Sequence, residues 1–162
     1  MKKFILKSIL LFFLMLPQLK ANQTPFKIEQ ITFYTEIYPP ANFLINNKLS
    51  GISVDTVKAM WKHLNINEPE IQLVPWTRGY QFTLEKNNTA IFTMSKTKPR
   101  ENLFKWVGPI FHSTQVLITK KSNRFNFSSE KDVFAHSVAA VRGDISEISL
   151  HQINFPKANI AS

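Results

Sequence analysis

The sequence predicts an α/β fold, with a parallel-rich sheet flanked by helices, and three observations carry that prediction. Short apolar runs of strand length end in polar or proline-containing tips. Stretches with apolar residues at helical spacing alternate with those runs. The run Ala90-Ile91-Phe92 is continuously apolar, as expected of a strand covered on both faces.

Taken in order, Glu29 to Glu36 alternates, with Ile31 and Phe33 opposing Thr32 and Tyr34, and reads as a strand. Tyr38-Pro39-Pro40 ends it, because proline cannot donate to a ladder. Asn46 to Gly51 reads as a turn. Ser53 is a candidate helix cap with Asp55 in the first turn, and Val54, Val57, Met60, Trp61 and Leu64 form a core-facing stripe. Glu70 to Val74 is a second strand closed by Pro75, and a helix is expected from Tyr80, Phe82 and Leu84. Asn87-Asn88 turns into the strand at Ala90. Thr114 to Thr119 is expected as a further strand, Lys120 to Ser129 as a loop or hinge, and Ser128 or Ser129 as a cap over Lys131 and Asp132. Ser137 to Val141 reads as a strand, Gly143-Asp144 as a turn, Ile145 to His151 as a helix, and Asn159-Ile160-Ala161 as the start of another strand.

The chemistry concentrates in Thr89 to Phe111. Thr93, Met94 and Ser95 form a polar tip at the carboxyl end of a strand, the end at which open α/β sheets bind ligands. Thr97 is placed to cap, Pro99 suits a first helical turn, and Glu101 favours the positive end of the dipole. Arg100 is thereby set behind a tip lined by hydroxyls. A guanidinium there suits a carboxylate, held through two parallel hydrogen bonds. The competing reading is a solvated surface arginine. Tyr38 and Trp76 lie just past two other strand ends. Each is read either as a wall of a pocket or as a packing residue. The turn at Gly143-Asp144, before a helix start, offers backbone N–H groups to an anion.

The formal charge is +9. Lys2, Lys3, Lys7 and Lys20 lie in an N-terminal segment with an apolar core from Phe4 to Leu16 and a small residue at Ala21, the pattern of a secretory signal. A membrane anchor is the alternative, but the apolar run falls short of the ~20 residues a span needs. Cleavage after Ala21 would leave a modest basic excess, scattered and without the aromatic interleaving of a nucleic-acid surface. No nucleic-acid partner is expected. The absence of cysteine excludes disulfides, thiol catalysis and zinc–cysteine sites. His63, His112, His136 and His151 lack metal-ligand spacing, and four glycines form no phosphate loop. No metal, cofactor or catalytic constellation is expected.

Several motifs together resemble the family 3 extracellular solute-binding proteins, the periplasmic amino-acid receptors of ABC importers. They are Tyr38-Pro39-Pro40, Gly51-Ile52-Ser53-Val54-Asp55, Pro75-Trp76, Thr93-Met94-Ser95 with Thr97-Lys98-Pro99-Arg100 and Phe104 to Pro109, and Val141-Arg142-Gly143-Asp144. The resemblance runs over roughly residues 28 to 162. Thr89 departs from it, standing where the family usually has aspartate. The resemblance implies a type II periplasmic-binding-protein fold of two lobes. The segments would be a signal peptide at 1–21, a first lobe at 22–119 and the start of an incomplete second lobe at 120–162. It implies a soluble periplasmic monomer, not an enzyme, that captures a small polar solute between its lobes. The solute would be an amino acid or similar carboxylate, and the partner an ABC importer subunit. Arg100 would hold the carboxylate, Thr93 and Ser95 would support it, Tyr38 and Trp76 would wall it, and Asp144 would border it from the second lobe. In the family a later residue of the second lobe pairs with the ligand ammonium, and none here fills that slot. The chain is therefore expected to be a partial product that binds amino acids weakly or not at all. The rivals are an enzyme on the same fold, resembling cyclic-amino-acid dehydratases or a peptidoglycan-lyase-associated module, and a sensory module without a transporter. An acid of perturbed pKa in the cleft would mark the enzyme.

Overall fold

The computed structural model describes residues 27–162. The expected signal segment and its cleavage site lie outside these residues. At the centre is a three-stranded parallel sheet in the order β4-β1-β5, formed by β1 (Thr32–Thr35), β4 (Ile71–Leu73) and β5 (Thr89–Ile91). From β1 the chain passes through a hairpin, β2 (Phe43–Ile45) and β3 (Lys48–Ser50), and then helix α1 (Ile52–His63) to reach β4. Helix α2 (Trp76–Glu85) then carries it back past β1 to β5.

Strand order therefore reverses at β1, and side-chain alternation shows why the two helices take opposite faces. Phe33 meets Trp61 of α1 at 4.9 Å between ring centroids, whereas its neighbour Tyr34 meets Phe82 of α2 at 5.4 Å. The main core is Phe33, Val54, Val57, Trp61 and Phe92. Met60 and Leu64, expected on the same stripe, are exposed, so the apolar face of α1 is narrower than its sequence suggests. On the other face Gly79 lets α2 approach closely, since a Cβ there would stand 3.2 Å from Val74 Cγ2 and 3.3 Å from Ile91 Cδ1.

Several local expectations change. The expected turn at Asn46 to Gly51 is part of a hairpin, because Asn46 and Asn47 both adopt the left-handed backbone (φ 49° and 61°) that two-residue hairpin loops require. Ser53 does not cap α1. The free donors there go to backbone oxygens, Ser53 N to Ala41 O at 3.1 Å and Ile52 N to Pro40 O at 3.4 Å. Gly51 makes this approach possible, with φ +122° and space for no side chain: a Cβ would stand 2.3 Å from Ala41 O. Helix α2 begins at Trp76, earlier than expected. Thr97 makes no side-chain cap, and the helix start after it is one 3-10 turn, Lys98–Arg100, with Pro99 in its first positions.

The largest difference is at Thr114 to Thr119. No strand forms there: Val116 and Ile118 are 73% and 91% exposed. A strand exists through a hydrogen-bonded neighbour, and no described residue pairs with this segment. Further on, Ser128 and Ser129 donate their backbone N–H groups to Asp132 Oδ2 at 2.7 and 2.8 Å, opening the short α3 (Glu130–Val133). Strand β6 (Val138–Ala139) pairs in parallel with β7 (Ile160–Ala161) around helix α4 (Ile145–Gln152), and Phe134 packs edge-on to the buried Phe155 at 5.2 Å.

Candidate functional site

An open parallel sheet leaves a crevice where its strand order reverses, at the carboxyl ends of the strands on either side. Here those are β1 and β5, leading into Glu36 to Tyr38 and into Thr93 to Ser95. The N-terminus of α2 and the turn before α4 border the same region. Each segment carries residues that the sequence singles out.

Arg100 is 3% exposed and is not a solvated surface residue. Its Nη1 donates to Ser95 O at 3.1 Å and its Nη2 to Gly143 O at 2.6 Å. Trp76 Nε1 donates to the same Gly143 oxygen at 3.2 Å. The guanidinium carbon lies 4.9 Å from the Trp76 ring and 5.5 Å from that of Tyr80, which follows one turn later on α2. Two donors from separate segments thus converge on one oxygen within an aromatic wall. Burial lowers the Arg100 pKa from its ordinary value, opposed by Asp144 and Tyr80, and the group stays cationic.

Ser95 meets the arginine through its backbone carbonyl. The Gly143 N–H, expected to face an anion from outside, donates instead to Glu147 Oε2 at 2.7 Å, the carboxylate in the first turn of α4. That bond holds the Glu147 carboxyl below its usual range. Asp144 is half-buried and is felt by both Arg100 and Glu36.

Tyr38 and Thr93 form a second group. They are joined by a residue that the sequence reading passed over. Asn42 is wholly buried, exchanges backbone hydrogen bonds with Tyr38 (2.7 and 3.0 Å), and accepts from Thr93 Oγ1 at 2.8 Å through its Oδ1. Thr93 itself has φ +67°, left-handed and unusual for a β-branched residue. Among the described residues no hydrogen bond joins this group to the Arg100 group. Glu36 was also passed over. It continues β1 by one residue, and burial first, then Asp144, pushes its carboxyl up to about 7. Its place at the carboxyl end of the strand expected over Glu29 to Glu36 was the only sign in the sequence.

Residues 31–159 match the family model of Bacterial extracellular solute-binding proteins, family 3. The chain belongs to this family. The match covers the sheet, both helices over it, Arg100, and the segment through α4. Membership brings the type II periplasmic-binding fold expected from the motifs, a small-molecule ligand, and a periplasmic or secreted location. No curated protein and no solved structure matched the chain. Among the described residues no helix is long and apolar enough to cross a membrane, and no group of metal-ligating side chains occurs.

Proposed function

We propose that this family 3 protein captures a small solute carrying both a carboxylate and an amine, most simply a polar amino acid, for delivery to an ABC-type importer. The observation that carries the reading is the convergence of Arg100 Nη2 and Trp76 Nε1 on one oxygen, that of Gly143. A carboxylate oxygen is an acceptor of the same kind with more charge, so it can take the carbonyl's place and strengthen both bonds. Displacement of Gly143 then couples binding to movement of the segment beyond 120, read as the second lobe, against the lobe at 22–119. Trp76 and Tyr80 stack on the guanidinium and exclude water from it. Tyr38 walls the other side of the crevice. Glu36 and Asp144, two carboxylates near enough that Asp144 adds to the raised proton affinity of the half-buried Glu36, offer negative charge to the amine.

A thermal-shift screen with the standard amino acids tests this. A ligand at 100 times its Kd adds roughly 2.7 kcal/mol to stability. At least one amino acid should raise the melting temperature, and that rise should be absent in Arg100→Ala.

The raised pKa of Glu36 favours a second reading, an enzyme on this fold in which Glu36 acts as a general acid or base near neutral pH. Product analysis after incubation separates the two. A binding protein returns its ligand unchanged, whereas an enzyme consumes it in a way that Glu36→Gln abolishes.

A further inference from the structure

Asn42 is fully buried and joins the two halves of the Tyr38–Thr93 group, Tyr38 through its backbone and Thr93 through its side chain. Its backbone pairs with Tyr38 in an isolated antiparallel bridge, which fixes the loop after β1. The adjoining Ala41 carbonyl accepts from Ser53 N, so the same loop is fastened to the start of α1. The Asn42 side chain makes a single hydrogen bond, and its Nδ2 has no acceptor among the described residues. A buried amide bonded at one end only contributes poorly to stability. Its one bond is to the hydroxyl of a residue held in a left-handed conformation at the tip of β5.

A threonine hydroxyl has one proton and two lone pairs. Where that proton goes to Asn42 Oδ1, the oxygen has only lone pairs left to offer the crevice. Thr93 then accepts hydrogen bonds there and cannot donate. Phe92 N donates to Tyr34 O, the last bond of the β1–β5 ladder, so Thr93 stands at the carboxyl end of β5 where the crevice opens. The tip of β5 thus offers the crevice an acceptor hydroxyl. From this we infer that Asn42 is a positioning residue that fixes Thr93 Oγ1 as an acceptor for the amine of the ligand, selecting amine-bearing carboxylates over amine-free ones. The inference rests on the solute-capture reading above and deepens it.

The test has two arms. The first needs no ligand: a thermal double-substitution cycle of Asn42→Ala, Thr93→Val and the pair. Valine keeps the shape and β-branching of threonine, so the cycle reads the hydroxyl bond alone. Each single substitution should lower the melting temperature, and the pair should lower it by clearly less than the sum. Additive losses overturn the bond on which the inference stands. Should Asn42→Ala fail to fold, Asn42→Leu takes its place, since it keeps much of the volume, lacks the acceptor oxygen and should show the same less-than-additive loss with Thr93→Val.

The second arm is titration calorimetry with L-serine and with 3-hydroxypropanoate, which keeps the carboxylate and hydroxyl and lacks the amine. Thr93→Val should weaken serine binding by about fivefold to tenfold, the effect of one hydrogen bond, and leave 3-hydroxypropanoate within about twofold. Equal losses for both compounds would reduce Asn42 and Thr93 to general structural support and overturn the acceptor role. If the unsubstituted protein binds neither compound, the solute-capture reading and the acceptor role fall together for these probes. The cycle still decides separately whether Asn42 holds Thr93.

Discussion

Replacing Arg100 with lysine perturbs the site most directly. The guanidinium reaches two carbonyls at once, Ser95 O at 3.1 Å and Gly143 O at 2.6 Å, while lying against Trp76. A lysine ammonium keeps the charge but reaches one of these at a time and stacks poorly. One lost charge-assisted bond is worth about 1.5–3 kcal/mol, and a desolvated cation–π contact about 1–2 kcal/mol. Some of this is recovered, because the lysine can still bond Gly143, so Arg100→Lys should lose about 2–4 kcal/mol of stability. Urea denaturation followed by near-UV circular dichroism measures it, with an unchanged m-value showing that the same surface unfolds. A loss below about 0.5 kcal/mol, the range of ordinary surface substitutions, would refute the claim that Arg100 ties the turn at Gly143 to the crevice.

Three other outcomes follow from the same contacts. Glu36 titrates near 7 in the folded protein against an ordinary 4.5, so the folded state holds this proton more tightly than the unfolded chain. Its contribution is present below about pH 4.5 and lost as pH rises through 7, an effect of about 1–2 kcal/mol after allowance for partial solvent screening, and Glu36→Gln should remove that slope from the pH dependence of stability. Gly51→Ala should cost about 2–4 kcal/mol in chemical denaturation, since its Cβ would stand 2.3 Å from Ala41 O at φ +122°. Trp61→Ala should cost about 3–5 kcal/mol, because the ring is fully buried against Phe33 in the main core.

What the sequence made legible was periodic or carried by motifs. The stripe Val54, Val57, Trp61 located α1, and the continuous run at Ala90 located β5, because burial on a fixed face leaves a repeating pattern. Arg100 and Trp76 come together on the backbone oxygen of Gly143, a partner that no motif encodes. Asn42 and Glu36 were not legible. The role of Asn42 comes from Thr93 and that of Glu36 from its burial, with Asp144 added, and both partners lie far away along the chain. The failed strand at Thr114 to Thr119 shows the converse limit. An apolar run states that a segment can pair, and pairing depends on a neighbour elsewhere in the chain.

The central claim is that Arg100 and Trp76 form the carboxylate end of a solute site. Titration calorimetry of the protein with each standard amino acid, repeated on Arg100→Lys, tests it most directly. The account predicts saturable one-to-one binding of at least one amino acid, weakened on the order of tenfold to a hundredfold by the substitution. Binding that survives Arg100→Lys at full affinity in a folded protein would contradict it.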